Sequence, residues 1–177
     1  MLTSWKVLVI SDTHGRITRA AMLIKALAAA IDAVYFLGDH IEDGEELSRM
    51  FPRLAFLSVA GNCDYGRKEL SREVFVLGHR MYLCHGHRYG VKEGYEGLEA
   101  FARRHKYDIV LCGHTHKPYV DAQEDLLILN PGSISMPVAV YGADYAVLKL
   151  EEGKRPEYRF GDASEPVQNI LHFLYEK

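Results

Sequence analysis

A chain of 177 residues with 48% hydrophobic and 25% charged side chains has the composition of one globular domain with a substantial core, expected to span residues 1–177. A formal charge of -3 with no Lys/Arg cluster gives no electrostatic footprint for strong nucleic-acid binding, and no apolar run reaches the length of a membrane span. Cys63, Cys84 and Cys112 are odd in number and lie in or beside apolar runs. With no signal-peptide layout in MLTSWK, that fits unpaired thiols in a reducing cytoplasm, the expected location.

In chain order, residues 5–11 read as a strand and the segment from Ile17 as a helix, with Ile17, Ala21, Ile24, Ala28 and Ile31 on one face. A strand at 34–37, a short helix at 45–50 and a strand at 54–59 complete a βαβαβ start, which implies parallel strands. From Glu73 the pattern becomes a hairpin: strand 73–77, a Gly78-His79 turn and strand 81–84. A helix over 94–105 carries Tyr95, Leu98, Phe101 and Ala102 on one side, and a strand at 109–112 follows. Segments 119–120, 126–129, 145–150 and 156–160 read as mostly antiparallel β-structure, and 166–177 as a last amphipathic helix. Two mixed sheets packed face to face with helices outside, an α/β sandwich, would use every element.

Five apolar runs end in residues that can hold a metal. KVLVIS leads into Asp12 and His14, VYFLG into Asp39, FLSVAG into Asn62, MYLC into His85 and His87, and IVLCG into His114 and His116. Apolar runs bounded by Gly read as buried strands, and functional groups of open α/β sheets gather outside the carboxyl ends of strands. On an extended segment, neighbours two apart point the same way, so each His pair or Asp-His pair could chelate. Two divalent cations in such a cage leave a net positive site suited to an anion and to the charge of phosphoryl transfer. Imidazole mixed with carboxylate favours manganese, iron, zinc, nickel or cobalt over magnesium, and manganese is the first expectation. His79, His105 and His172 read as structural or surface residues.

The ordered set SDTHG, LGDH, AGNCD, CHGH and CGHTH resembles the motifs of the calcineurin-like metallophosphoesterase superfamily. With Asn130-Pro131-Gly132-Ser133, it is most similar to the small YfcE-like phosphodiesterases, and the likeness spans Ser11 to Pro137. The resemblance implies a four-layer α-β-β-α sandwich and a binuclear phosphodiesterase acting on a small phosphate ester. It makes Asp12, His14 and His116 ligands of one ion, Asn62, His85 and His114 ligands of the other, and Asp39 the bridge. A hydroxide shared by two ions roughly 3.5–4 Å apart would then attack phosphorus in line. Asp39, Asn62 and His87 are the expected catalytic residues.

The wider superfamily has His where this chain has Cys63, and a thiol is a weak hydrogen-bond donor. His87 is the first candidate for a replacement acid and His40 the second; a supporting hydrogen-bond role for His87 is the alternative. Inert burial is expected for all three cysteines. Asp64 is expected to cap a turn or orient a ligand, and 130–133 to form a tight turn. Tyr65, Arg67 and Lys68 read as a solvated loop, while Tyr89 and Tyr95 line the cleft or pack. The rival functions are a phosphomonoesterase and a non-catalytic protein-interaction scaffold of the same fold, as in the retromer subunit. The tail apolars, Ile170 to Tyr175, are expected to dock on the protein's own sheet, with a homo-oligomer contact as the alternative.

Overall fold

Strand β1 (Ser4–Ile10) alternates two apolar sets, and both are buried. Val7 and Val9 face one core while Leu8 and Ile10 face another, which is why the run is continuously apolar. A computed structural model describes residues 3–136 and 144–176; Pro137, the last residue of the motif likeness, and Lys177 of the tail lie outside them. Around β1, β2 (Ala33–Phe36) and β3 (Ala55–Ser58) add in parallel, and β9 (Tyr145–Glu151) and β10 (Glu157–Gly161) antiparallel, giving the order β10-β9-β1-β2-β3. The second sheet has the order β4-β5-β6-β8-β7, from β4 (Ser71–Val76), β5 (His79–Cys84), β6 (Ile109–Leu111), β7 (Pro118–Ala122) and β8 (Leu127–Pro131).

Three apolar cores separate four layers. Helices α1 (Thr18–Leu27), α2 (Ile41–Met50) and α4 (Gln168–Tyr175) cover the outer face of the first sheet through Leu23, Ile24, Leu27, Leu47, Phe173 and Leu174. Between the sheets, Val7, Tyr35, Leu83, Leu111, Leu129 and Leu148 interdigitate. On the far side α3 (Glu96–His105) packs Leu98 and Ala102 against Tyr82, Val110 and Ile128. The tail therefore docks on its own sheet, with Ile170, Phe173 and Leu174 buried and Tyr175 left exposed. Among the described residues no helix is long and apolar enough to cross a membrane.

Several local expectations need correction. The expected α1 face packs on the core through Ile17, Ala21, Ile24 and Ile31, but the helix itself stops at Leu27 and buries Ala20, Leu23 and Leu27 as well. Helix α2 begins at Ile41, four residues before the predicted start at Glu45, where the Asp64 carboxylate caps its first amides. The hairpin turns at Leu77 and Gly78, with φ 50° and 83°, so His79 belongs to β5. That pair of left-handed residues matches the twist of two-residue hairpins. The later strands are mostly antiparallel as expected, β7 to β8, β9 to β1 and β10 to β9, but β8 runs parallel to β6, and Asn130 and Pro131 end β8 instead of forming a turn.

Arg19 of α1 reaches Asp144 at 2.8 Å and Asp162 at 3.0 Å, tying the helix to the β9–β10 hairpin. Burial pushes the Asp144 carboxyl up to about 6, with the Ala163 amide and the Arg19 charge pulling against it. A folded-state value above the unfolded one means that the folded protein holds this proton more tightly. The contribution is complete below the unfolded value and is lost as pH rises towards about 6. Urea unfolding of Asp144→Asn against wild type should therefore show a stability difference that shifts in favour of the variant by on the order of 2 kcal/mol between acid and neutral pH. A pH-independent difference would contradict this.

Candidate metal centre

The carboxyl ends of β1, β2, β3, β5 and β6 deliver their following residues to one edge of the sandwich. The backbone there is not extended. Of the eight non-glycine residues with positive φ among the described residues, six are Asp12, His14, Asp39, His40, His114 and His116. Left-handed backbone at such residues costs on the order of 1 kcal/mol each and persists only where the surroundings over-determine it. Chelating pairs thus converge through tight left-handed turns, correcting the expectation of extended pairs.

Hydrogen bonds hold these turns. The Ser133 and Ser135 hydroxyls both donate to the Asp12 carbonyl at 2.9 Å. Asp43 Oδ2 accepts from the Thr13 hydroxyl at 2.6 Å and the Gly15 amide at 2.8 Å. Asp64 Oδ2 accepts from the Gly61 amide at 2.6 Å while its Oδ1 takes the His40 and Ile41 amides, so Asp64 acts as a cap. Two glycines are required by proximity alone. A Cβ on Gly61 would lie 2.1 Å from Asp39 Oδ1, and one on Gly113 would lie 2.9 Å from Asp12 Oδ2 and 2.0 Å from Ser11 Oγ.

All seven expected ligand side chains come together around the fully buried Asp12 and the nearly buried Asp39. His116 Nε2 lies 3.3 Å from Asp12 Oδ1 and 3.1 Å from His14 Nε2. His14 Nε2 is 3.8 Å from Asp39 Oδ2, while His85 Nε2 is 3.4 Å from Asp39 Oδ1 and 3.2 Å from Asn62 Oδ1. Each oxygen of Asp39 therefore faces a different half of the cluster. Asp12, His14 and His116 form one group with ligand atoms close enough to share an ion, and Asp39, His85 and His114 form another.

The donor set fits cations. His85 Nδ1 sits 2.7 Å from the Leu37 carbonyl, which can only accept, so the ring proton is on Nδ1 and Nε2 turns its lone pair to the Asn62 and Asp39 oxygens. Lone pair facing lone pair is repulsive unless a proton or a cation lies between. Asp12 Oδ1 is buried without a hydrogen-bond partner, which suits it to hold a cation. The electrostatics agree. Burial opposes ionisation of Asp39, yet His85 and the Cys63 amide hold its carboxyl well below the usual range. Burial likewise works against charge on His85, but the Asp39 and Asp12 carboxylates raise its affinity for a proton. His114 is pushed down to about 4 by burial and by the charges of His85 and Lys92, which leaves it a neutral donor.

The remaining expectations divide. His87 opens a short 3₁₀ turn beside the cluster, with ring centroids 5.5 Å from His85 and 6.1 Å from His114. Burial and the His85 charge lower its proton affinity, and its Nδ1 is buried without a partner. The His40 ring is exposed, 6.5 Å from that of His14. Cys84 and Cys112 are buried in the α3 core; Cys84, the last residue of β5, faces away from His85 as strand alternation requires, and the left-handed backbone at His114 turns that ring away from Cys112. Cys63 contradicts the expectation of burial: it follows Asn62 in a loop, is exposed, and its Sγ lies with His14 and Asp39 in a third group of possible ligands. Desolvation and then the Asp39 carboxylate push its thiol up to about 11. Arg67 pairs with Glu42, Glu45 and Glu69, away from any phosphate role. His79 pairs with Asp108 and His172 with Glu176, as structural residues do. Asp43 and Ser135 were not singled out by sequence reasoning, while Thr13 and Ser133 sat in the noted motifs SDTHG and 130–133 without a role assigned to them.

Comparison with known proteins follows the same lines. Residues 5–153 match the family model described as the calcineurin-like phosphoesterase superfamily domain. The probable metallophosphoesterase YsnB of Bacillus subtilis is 28% identical over 166 residues, covering 93% of this chain and 95% of that protein. The phosphodiesterase YfcE of Escherichia coli is 25% identical over 168 residues, covering 81% and 86%. Vacuolar Protein Sorting 29 from Cryptosporidium parvum shares the fold with a TM-score of 0.69 at 18% identity, over 90% of this chain and 98% of that one. The chain belongs to the calcineurin-like phosphoesterase superfamily.

Proposed function

We propose that this chain is a binuclear metal-dependent phosphodiesterase, a single domain working in a reducing cytoplasm on small phosphate esters. Asp12, His14 and His116 hold one divalent cation, Asn62, His85 and His114 hold the second, and Asp39 serves both. The observation that carries the reading is Asp39, whose two oxygens face His14 at 3.8 Å and His85 at 3.4 Å. A carboxylate is the side chain that can do this, because it offers two acceptor atoms and a negative charge. Bound ions supply positive charge for the phosphate oxygens and lower the pKa of a water, and manganese suits the mixed imidazole and carboxylate donors.

The chain's own groups do the rest. His85, locked by the Leu37 carbonyl, presents a fixed lone pair, and the neutral His114 needs no deprotonation before it binds. His87 stands beside both and is assigned to proton donation towards the leaving oxygen, a task for which the Cys63 thiol is a poor substitute. Likeness to a phosphodiesterase supports the diester over the monoester. A second reading, an interaction scaffold, draws on the shared fold with the sorting protein. The complete ligand set speaks for catalysis over it.

Chromogenic mono- and diesters assayed across divalent metals, with chelator-treated protein as control, should show metal-dependent turnover that is faster on the diester. Monoester preference would replace the reading with a phosphomonoesterase, and silence with every metal would favour the scaffold. Asp39→Asn should lose bound metal, measured by elemental analysis, together with at least about 100-fold in turnover. Full activity in a metal-loaded Asp39→Asn protein would refute the scheme. Gly61→Ala should weaken metal binding in a calorimetric titration by displacing Asp39, although it removes no ligand. His87→Ala should slow esters with poor leaving groups by about 100-fold and leave good ones much less affected; equal losses on both would deny the acid role.

A further inference from the structure

The segments that follow His85 and His114 also build the walls of a cleft. Residues 91–95, after His87, form one wall, and Thr115, Lys117, Pro118 and Tyr119, flanking His116, form the other. The cleft encloses ≈ 630 Å³, within the range of small-molecule sites. Among the described residues its only lining cations are Lys92 and Lys117, which share it with Glu93, while the Glu96 carboxylate stands behind Gly94. Both lysines are exposed, and among the described residues neither forms an ion pair. Thr115 of the cleft wall stands between His114 and His116 in the chain, which sets the cleft beside the cluster.

The cleft is stiff where its two walls meet. Tyr95 of one and Tyr119 of the other stack at 3.8 Å with their rings 5° from parallel. The Asn130 amide donates to the Tyr95 hydroxyl at 3.1 Å and to the Gly113 carbonyl at 2.7 Å, which ties the aromatic pair to the turn that presents His114. The aromatic pair keeps water from one side of the cleft and strengthens the pull of the two ammonium groups on an anion.

A phosphodiester brings two organic arms to the metal centre, and only one departs. The geometry points to this cleft as the subsite for the retained arm, selecting diesters in which that arm carries a second negative charge, a carboxylate or a phosphate. Lys92 and Lys117 are its specificity determinants and Glu93 its counterweight. This inference rests on the phosphodiesterase reading.

The test uses two p-nitrophenyl diesters with the same leaving group, whose retained arms have equal length and end in either a methyl or a carboxylate. With metal-loaded wild type at low salt, kcat/KM should favour the carboxylate arm by roughly five- to tenfold, chiefly through KM. The preference should shrink in about 0.5 M salt. Lys92→Gln/Lys117→Gln should bring the ratio to about one, and Glu93→Gln should raise it. A wild-type ratio of one or below, or a preference that survives in the double variant, overturns the subsite. Hydrolysis of neither ester sinks the diesterase reading instead. Calorimetric titration with the matching phosphinates, which have P–C bonds in place of both ester bonds, then decides the cleft. Tighter binding of the anionic arm supports it, and equal binding overturns it.

Discussion

Two carboxylates, Asp12 and Asp39, are almost wholly withdrawn from water and are faced by nitrogen and oxygen lone pairs. Burying a charge costs several kcal/mol after relaxation, and removing one partner from a buried pair is worse than never having had it. Such a cluster is stable only with compensating positive charge, whether protons on imidazole or divalent cations. The surrounding architecture follows from that constraint: rigid strands to set the positions, left-handed turns to aim the side chains, and hydroxyls and amides to satisfy the turns.

The two-sheet sandwich meets the requirement economically. Parallel β1, β2 and β3 bring Asp12, Asp39 and Asn62 to one edge, and parallel β5 and β6 bring His85 and His114 to the same edge from the facing sheet. Neither sheet alone holds a full set of donors. The packing of Val7, Tyr35, Leu83 and Leu111 between the sheets therefore also sets the separation of the ligands. A core that resembles an organic crystal in density transmits small displacements instead of absorbing them.

How much of this was legible varies by element for physical reasons. Strands such as β1 and β6 were plain because both of their faces are buried, which leaves an apolar run with a glycine or polar stop. The donor residues were plain for the same reason, since polar groups that end such runs stand out. The left-handed backbone at Asp12, His14, His114 and His116 was hidden, because Asp and His in a motif give no sign of their φ. The α1 face was legible in Ile17, Ala21, Ile24 and Ile31, which pack on the core, but a periodic pattern does not mark the stop at Leu27. Cys63 was misjudged because a free thiol is usually buried, whereas the loop after Asn62 leaves this one exposed. The bonds from Asp43 to the first loop span 28 and 30 positions, and no local pattern encodes such a partnership.

The tautomer of His85 is dictated by a main-chain oxygen, that of Leu37, and not by a neighbouring carboxylate or amide. Drift at adjacent positions therefore has little purchase on the basicity of this imidazole, because every amino acid at position 37 carries the same carbonyl. Where relatives diverge in metal preference, the cause must be sought in donors whose orienting partners are themselves side chains, or in a shift of the whole strand.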